Sequence, residues 1–402
     1  MIFGKGDFAL INEKNLQLGT ARSAIRELFE YGKRQAALVG AENVFDFSLG
    51  NPSTPAPKEI NDAVTEILST CDPIAVHGYT SAQGSIETRT AIADSITRRF
   101  GTSADADDIY VTCGAAAALC CSFGALTKDN NTEFIAIAPY FPEYKVFVEG
   151  AGAKFLAVPA KTDDFQIDFT RLEATLNPNS AAVIINSPNN PSGVVYSADT
   201  IKKLSALLER KSEEFGHPIY IIADEPYREL VYDGIEVPFI PNYYRNTIVC
   251  YSYSKSLSLP GERIGYIYVP KFADNSRQVY AAAAGAGRAM GYVCAPSLLQ
   301  QVITRCINAT PDLTNYETNR KLLLENLTTY GYECAAPDGA FYLFIKAPDG
   351  DGNSFSEKAK EKNLLIVPGE SFGCKEYVRI SYCVDTDMIK RALPCFKELI
   401  EC

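Results

Sequence analysis

The sequence predicts an α/β protein: a large domain on a mostly parallel, seven-stranded sheet, followed by a smaller α+β domain. Three observations predict it. From about residue 108 short apolar runs alternate with helix-length segments, the middles of those runs are continuously apolar as in strands buried on both faces, and polar residues gather just past their C-terminal ends. The chain's 402 residues exceed one ordinary domain and suit two that share an interface. The expected division is an N-terminal segment over 1–45 that packs with the small domain, a large domain over 46–290 and a small domain over 291–402.

In chain order, residues 12–40 read as helical, with Ala21-Arg22-Ser23-Ala24-Ile25-Arg26-Glu27-Leu28-Phe29 carrying apolar residues three and four apart. Val44 to Pro52 is an extended run closing in Gly50-Asn51-Pro52, where glycine lets a ligand approach the backbone. A helix follows over 57–70, then a polar loop, His77 to Gly84, from which Tyr79 projects. The seven expected strands are Asp108 to Thr112, Glu133 to Ala138, Lys154 to Val158, Ala181 to Asn186, Ile219 to Ala223, Thr247 to Tyr251 and Tyr266 to Val269. Past 291 the runs Gly339 to Ile345, Leu364 to Gly369 and Tyr377 to Tyr382 read as strands of the smaller domain. Arg379, inside the last of these apolar strands, needs an anionic partner.

Composition narrows the function. Lys plus Arg number 38 against 49 Asp plus Glu, and the resulting net charge of −11 argues against nucleic-acid and anionic-membrane partners. Met1 to Asp7 holds no basic region followed by an apolar stretch, and no later run approaches the roughly 20 apolar residues of a membrane helix, so a cytoplasmic protein is expected. The 12 cysteines include no C-x-x-C pair and read as reduced residues, with Cys113 and Cys250 in apolar, strand-like surroundings. His77 and His217 are the two histidines, in contexts that support neither a zinc site nor a Ser-His-Asp triad, and no metal is expected. Dinucleotide and Walker A glycine patterns are absent.

Five stretches carry chemistry. Thr112 to Ala118 is a small-residue turn opening a helix, so backbone N–H groups and the helix dipole point at an anion; Ala-rich helix starts are also common for packing reasons alone. Pro139-Tyr140-Phe141-Pro142-Glu143-Tyr144 is an aromatic knot that can cover a flat ring or simply fill core. Asn186 to Gly193 is a loop of turn formers that aims an amide, Asn190 being the candidate. Asp224, at the mouth of a buried strand and followed by Glu225-Pro226-Tyr227, is costly unless paired, and a protonated pyridine nitrogen suits it. The fifth stretch, Ser252-Tyr253-Ser254-Lys255-Ser256-Leu257-Ser258-Leu259-Pro260-Gly261-Glu262-Arg263, sets one lysine among hydroxyls with an arginine eight residues on. A lysine becomes catalytic through an imine to a carbonyl cofactor, of which pyridoxal phosphate is the commonest, and Ser252, Ser254 and Arg263 supply what its phosphate needs.

From Gly50 to Arg379 the order and spacing of these motifs resemble the class I aminotransferases, pyridoxal-phosphate enzymes of fold type I. The resemblance implies that Lys255 carries the cofactor as an imine, Asp224 pairs with its ring nitrogen, Tyr227 and Asn190 hold its phenolic oxygen, and Phe141 stacks on the ring. It implies phosphate contacts from Ala115, Ala116, Ser252, Ser254 and Arg263, and from Tyr79 of the second subunit of a homodimer. Arg379 is then the clamp for the substrate α-carboxylate, helped by Asn190 and the Gly50 backbone. In the aspartate-specific members an arginine of the second subunit, about 30 residues past the lysine, pairs with the distal carboxylate; Arg288 stands 33 residues past Lys255, and a surface arginine or interface ion pair is the plainer reading of it. One departure is Ala116, where some bacterial aspartate aminotransferases carry lysine or threonine. The implied activity moves an amino group from an α-amino acid to a 2-oxo acid by a ping-pong mechanism, aspartate and glutamate being candidate substrates. The same fold also serves carbon–sulfur β-lyases, which is the alternative. A transcriptional regulator's sensor domain would need a DNA-binding domain that the 45 or so residues before Gly50 are too short to form.

Overall fold

The structure is a computed structural model that describes residues 10–20 and 24–401. The expectations for Met1 to Asp7 and for Ala21-Arg22-Ser23 lie outside the described residues. In the described part of the N-terminal segment, helices span Glu13–Thr20 and Ala24–Val39. The second is amphipathic, and its Leu28 packs with Val44, Leu365, Val367 and Phe372 near the other end of the chain.

Strand β1 (Phe45–Asp46) follows that segment, and the main sheet comprises β2 (Ile109–Thr112), β3 (Glu133–Ile137), β4 (Lys154–Val158), β5 (Ser180–Asn186), β6 (Tyr220–Asp224), β7 (Thr247–Ser252) and β8 (Gly265–Tyr268). Their order is β2-β8-β7-β6-β5-β3-β4, and β8 runs antiparallel to both neighbours while the other pairings are parallel. Alternate side chains enter two separate cores: Ile135, Val183, Ile221 and Val249 join one, and Phe134, Ile184, Ile222 and Ile248 the other. This two-sided burial explains why the strands read as unbroken apolar runs. β4 departs from that expectation, because it closes the sheet's edge and is partly open to solvent.

The later strands are β9 (Cys334–Ala335), β10 (Tyr342–Lys346), β11 (Leu364–Leu365), β12 (Val367–Pro368) and β13 (Tyr377–Ser381). The run expected as one strand over Leu364 to Gly369 is two. β11 pairs in parallel with β1, whereas β12 enters the antiparallel sheet β12-β13-β10-β9, so the chain changes sheets around Ile366. Expected strand Gly339 to Ile345 begins only at Tyr342, after Ala340 takes a positive φ of 57°. Among the described residues no helix is long and apolar enough to cross a membrane, and no group of three or more His, Cys, Asp or Glu side chains could hold a metal. The described cysteines are all free. Cys250 is buried in β7, but Cys113 lies outside the strands, half-buried at the start of a helix, which corrects its reading as a strand residue.

Candidate active site

Parallel pairing brings the C-terminal ends of β5, β6 and β7 to one edge of the sheet, where β2, antiparallel to β8 as β7 is, also ends, and each end delivers a polar group. Asn186 and Asp224 are the last residues of β5 and β6 and sit in register with each other. Asn186 ties the two ends together: its Nδ2 donates to the Asp224 backbone oxygen at 2.9 Å, and its Oδ1 accepts the Asn190 N–H at 2.7 Å. The loop after β5 is thereby fixed to the end of β6. Just past Asp224, Arg228 and Glu225 form a buried two-point ion pair, both contacts 2.6 Å, while Arg228 also donates to the oxygens of Val237 and Pro238.

Behind β2 the chain enters the helix Gly114–Leu126. Gly114 has φ +81°, and a Cβ there would overlap the Arg263 guanidinium, so glycine is required for this close approach. The helix has no side-chain cap, which leaves its first N–H groups, including those of Ala115 and Ala116, open to an anion. After β7, Ser252 caps the short helix Tyr253–Ser256 by accepting from the Ser254 N–H, and its hydroxyl donates to Ser254 Oγ at 2.8 Å. Arg263 donates to Ser254 Oγ at 3.2 Å and to the Pro260 oxygen at 3.0 Å, from a strained left-handed φ of 52°. It meets no carboxylate among the described residues, so two hydroxyls, free helix N–H groups and a cation converge without an anion.

Lys255 points from the same short helix toward the extended run, donating from Nζ to the Gly50 oxygen at 2.6 Å. Loss of hydration on burial lowers its pKa to about 8, and nearby Arg379 and Arg263 push the same way against Cys383. Asp224 is 5 % exposed; Tyr144 donates to its Oδ2 at 2.5 Å, and its Oδ1 is buried with no partner. Burial raises this carboxyl to about 7, with Tyr144 opposing the shift and Glu225 adding to it. Arg379, 2 % exposed on β13, donates to Asn190 Oδ1 at 3.0 Å and to the Ser48 oxygen at 2.6 Å, and its Nε has no partner. Tyr342 and Phe372 lie against the guanidinium, and among the described residues no carboxylate does.

One cavity of about 190 Å³ brings together Ala115, Ala116, Phe141, Asn190, Asp224, Tyr227, Ser252, Ser254, Lys255 and Arg263, which were expected from the sequence, with Leu119, Asn186, Pro226 and Pro260, which were not. Gly50 and Arg379 adjoin it through Lys255 and Asn190. Tyr79 and Arg288 are not brought there: Tyr79 is 90 % exposed, and Arg288 lies exposed in the last turn of the helix Ser276–Ala289. The sequence reading missed Tyr144 as a partner of Asp224, Asn186 as the tie between strands, and Tyr342, whose hydroxyl is 2.8 Å from that of Tyr227. Only Asn186 had a signal, as a polar residue closing an apolar strand.

The donor set fits a flat, phosphorylated aromatic aldehyde with a protonatable ring nitrogen. The phosphate matches the anion-free cluster at Arg263, the ring nitrogen matches the orphaned Asp224 Oδ1, and the aldehyde matches an amine of lowered basicity. The profile of a known family, aminotransferase class I and II, matches residues 42–395. The chain belongs to that family. As an aminotransferase it is similar along its whole length to an amino transferase from Eubacterium rectale, whose crystal structure shares 61% identity, covers 98% of each chain and superimposes with a TM-score of 0.96. An aspartate aminotransferase from Thermotoga maritima superimposes with a TM-score of 0.85 at 26% identity, covering 98% of this aminotransferase and 100% of that chain. Among curated relatives, "Aromatic-amino-acid aminotransferase 2" of Thermococcus litoralis is 29% identical over 94% of this chain and 96% of its own. The fold is that of the type I aminotransferases, the enzyme is a transaminase, and members of its family use pyridoxal phosphate. Nothing in these likenesses favours the β-lyase alternative.

Proposed function

We propose that this aminotransferase uses pyridoxal phosphate to move the amino group of an acidic α-amino acid to a 2-oxo acid, in two half-reactions that share one site. The observation that carries the proposal is Arg379, a buried guanidinium that meets no carboxylate among the described residues, bonded to Asn190 beside Lys255 and Asp224. When bound, the cofactor supplies a carbonyl for the amine and a ring that accepts an electron pair. The protein's part is to place and to move protons. Arg379 and Asn190 hold the substrate α-carboxylate, which answers the unpaired Nε and fixes the Cα next to Lys255. Lys255 Nζ, which as the free amine donates to the Gly50 oxygen, would carry the proton away from Cα, its basicity having been lowered toward neutrality. Asp224 Oδ1 would accept the ring N–H, Tyr227 and Asn190 would take the phenolic oxygen, Phe141 would cover the ring face, and Ala115, Ala116, Ser252, Ser254 and Arg263 would hold the phosphate.

The unit proposed is a cytoplasmic homodimer, divided along each chain into an N-terminal segment over 1–45, a large domain over 46–290 and a small domain over 291–402. Tyr79 and Arg288 are assigned to the neighbouring subunit's site, which accounts for a 90 % exposed tyrosine and an exposed arginine that do not line the cavity of their own chain. Acidic specificity is supported by relatives named aspartate aminotransferase in Thermotoga maritima and Pyrococcus horikoshii. Arg288→Ala is expected to cost a few kcal/mol in kcat/KM for aspartate or glutamate and to leave alanine turnover nearly unchanged. Mixing that variant with excess Lys255→Ala chains is expected to restore acidic-substrate turnover, since a mixed dimer then regains one complete site. Equal losses for acidic and neutral substrates refute the specificity, and failure of the mixture to recover refutes the shared site.

A further inference from the structure

We infer that Tyr144 is a positioning residue for the cofactor ring, its phenol holding one oxygen of Asp224 so that the other faces the ring nitrogen. The inference rests on the pyridoxal-phosphate reading and goes beyond it. Tyr144 lies in the first turn of the helix Glu143–Gly150, is fully buried, and donates its hydroxyl to Asp224 Oδ2 at 2.5 Å. Among the described residues it is the one donor that carboxylate has. Asn186, the nearest polar alternative, bonds the Asp224 backbone oxygen, and Oδ1 stays buried without a partner. A carboxylate turns freely about its last bond unless one oxygen is anchored, so anchoring Oδ2 sets the direction of Oδ1. Phe141, three residues earlier and just ahead of that helix, accepts the Tyr144 N–H at 3.1 Å and meets its ring edge to face with centroids 5.6 Å apart. The residue over the ring face and the residue aiming the carboxylate at the ring edge are thus set by a single turn.

Direct binding to the full-length apoprotein, followed by fluorescence, tests this with two probes: pyridoxal phosphate and its analogue in which carbon replaces the ring nitrogen. Tyr144→Phe removes one hydroxyl and keeps the shape of the side chain. It is expected to weaken pyridoxal phosphate roughly ten- to a hundredfold, as the loss of a hydrogen bond to a charged group does, and to leave the carbon analogue unaffected. In an Asp224→Ala background, with no carboxylate left to aim, the same change is expected to alter neither affinity. Equal weakening of both probes assigns the phenol a merely structural role and overturns the inference, as does no weakening of either. Failure of the wild-type chain to bind pyridoxal phosphate at all defeats the cofactor reading itself, a result distinct from these.

Discussion

Lys255→Ala is expected to abolish turnover with every amino acid while the chain still takes up pyridoxal phosphate, because Arg263, the Ser252 and Ser254 hydroxyls and the N–H groups of Ala115 and Ala116 remain. In the proposed assignment the lost group is both the point of covalent attachment and the proton carrier, and neither the nearby Tyr227 phenol nor the Cys383 thiol offers a substitute base. Burial lifts Tyr227 well above the ordinary phenol range and raises Cys383 to about 12. In the wild type only the neutral amine attacks a carbonyl, so the rate of covalent attachment is expected to rise with pH and level off above about 8 rather than above the ordinary 10.5. Absorbance of the attached cofactor, measured with and without borohydride reduction, checks both statements. A reducible adduct persisting in Lys255→Ala assigns the attachment to another residue.

The second large effect belongs to Asp224. In the proposed assignment alanine there removes the charge that keeps the ring nitrogen protonated, and turnover is expected to fall by several orders of magnitude. The same residue makes the cofactor-free chain pH-sensitive. Its carboxyl ionises near 3.8 when unfolded and at about 7 when folded. Across that interval the folded state binds more protons, so stability decreases as pH rises from about 4 to 7, by up to a few kcal/mol. Asp224→Ala is expected to flatten that decline in apoprotein Tm between pH 4 and 8, and bound cofactor to oppose it in the wild type by placing a cation at Oδ1. Turnover like the wild type's shows that another acid serves the ring nitrogen.

The sequence revealed what depends on position along the chain and hid what depends on approach across it. Seven strands were legible because burial on both faces demands unbroken apolar runs, and Asp224 and Lys255 because polar residues closing such runs stand out. Arg379 was legible as a charge inside an apolar strand. The split between β11 and β12 was not, since Leu364 to Val367 are equally apolar whichever sheet each pair joins. Tyr144 and Tyr342 were hidden for a related reason. A tyrosine in an aromatic run serves core packing and hydrogen bonding alike, and the partner that decides is 80 residues away for the first and 115 for the second. Tyr79 and Arg288 were found only through the family resemblance, and within a single chain neither touches the cavity.

Reaction of the cofactor-loaded enzyme with glutamate alone, with no 2-oxo acid added, tests the central claim most directly. The account predicts a spectral change that runs once and stops, yielding one equivalent of 2-oxo acid per site with no free ammonia, and resuming when a second 2-oxo acid is supplied. Absence of that single-turnover change contradicts it, and sustained release of pyruvate and ammonia from an S-substituted cysteine with no acceptor present makes the site that of a β-lyase.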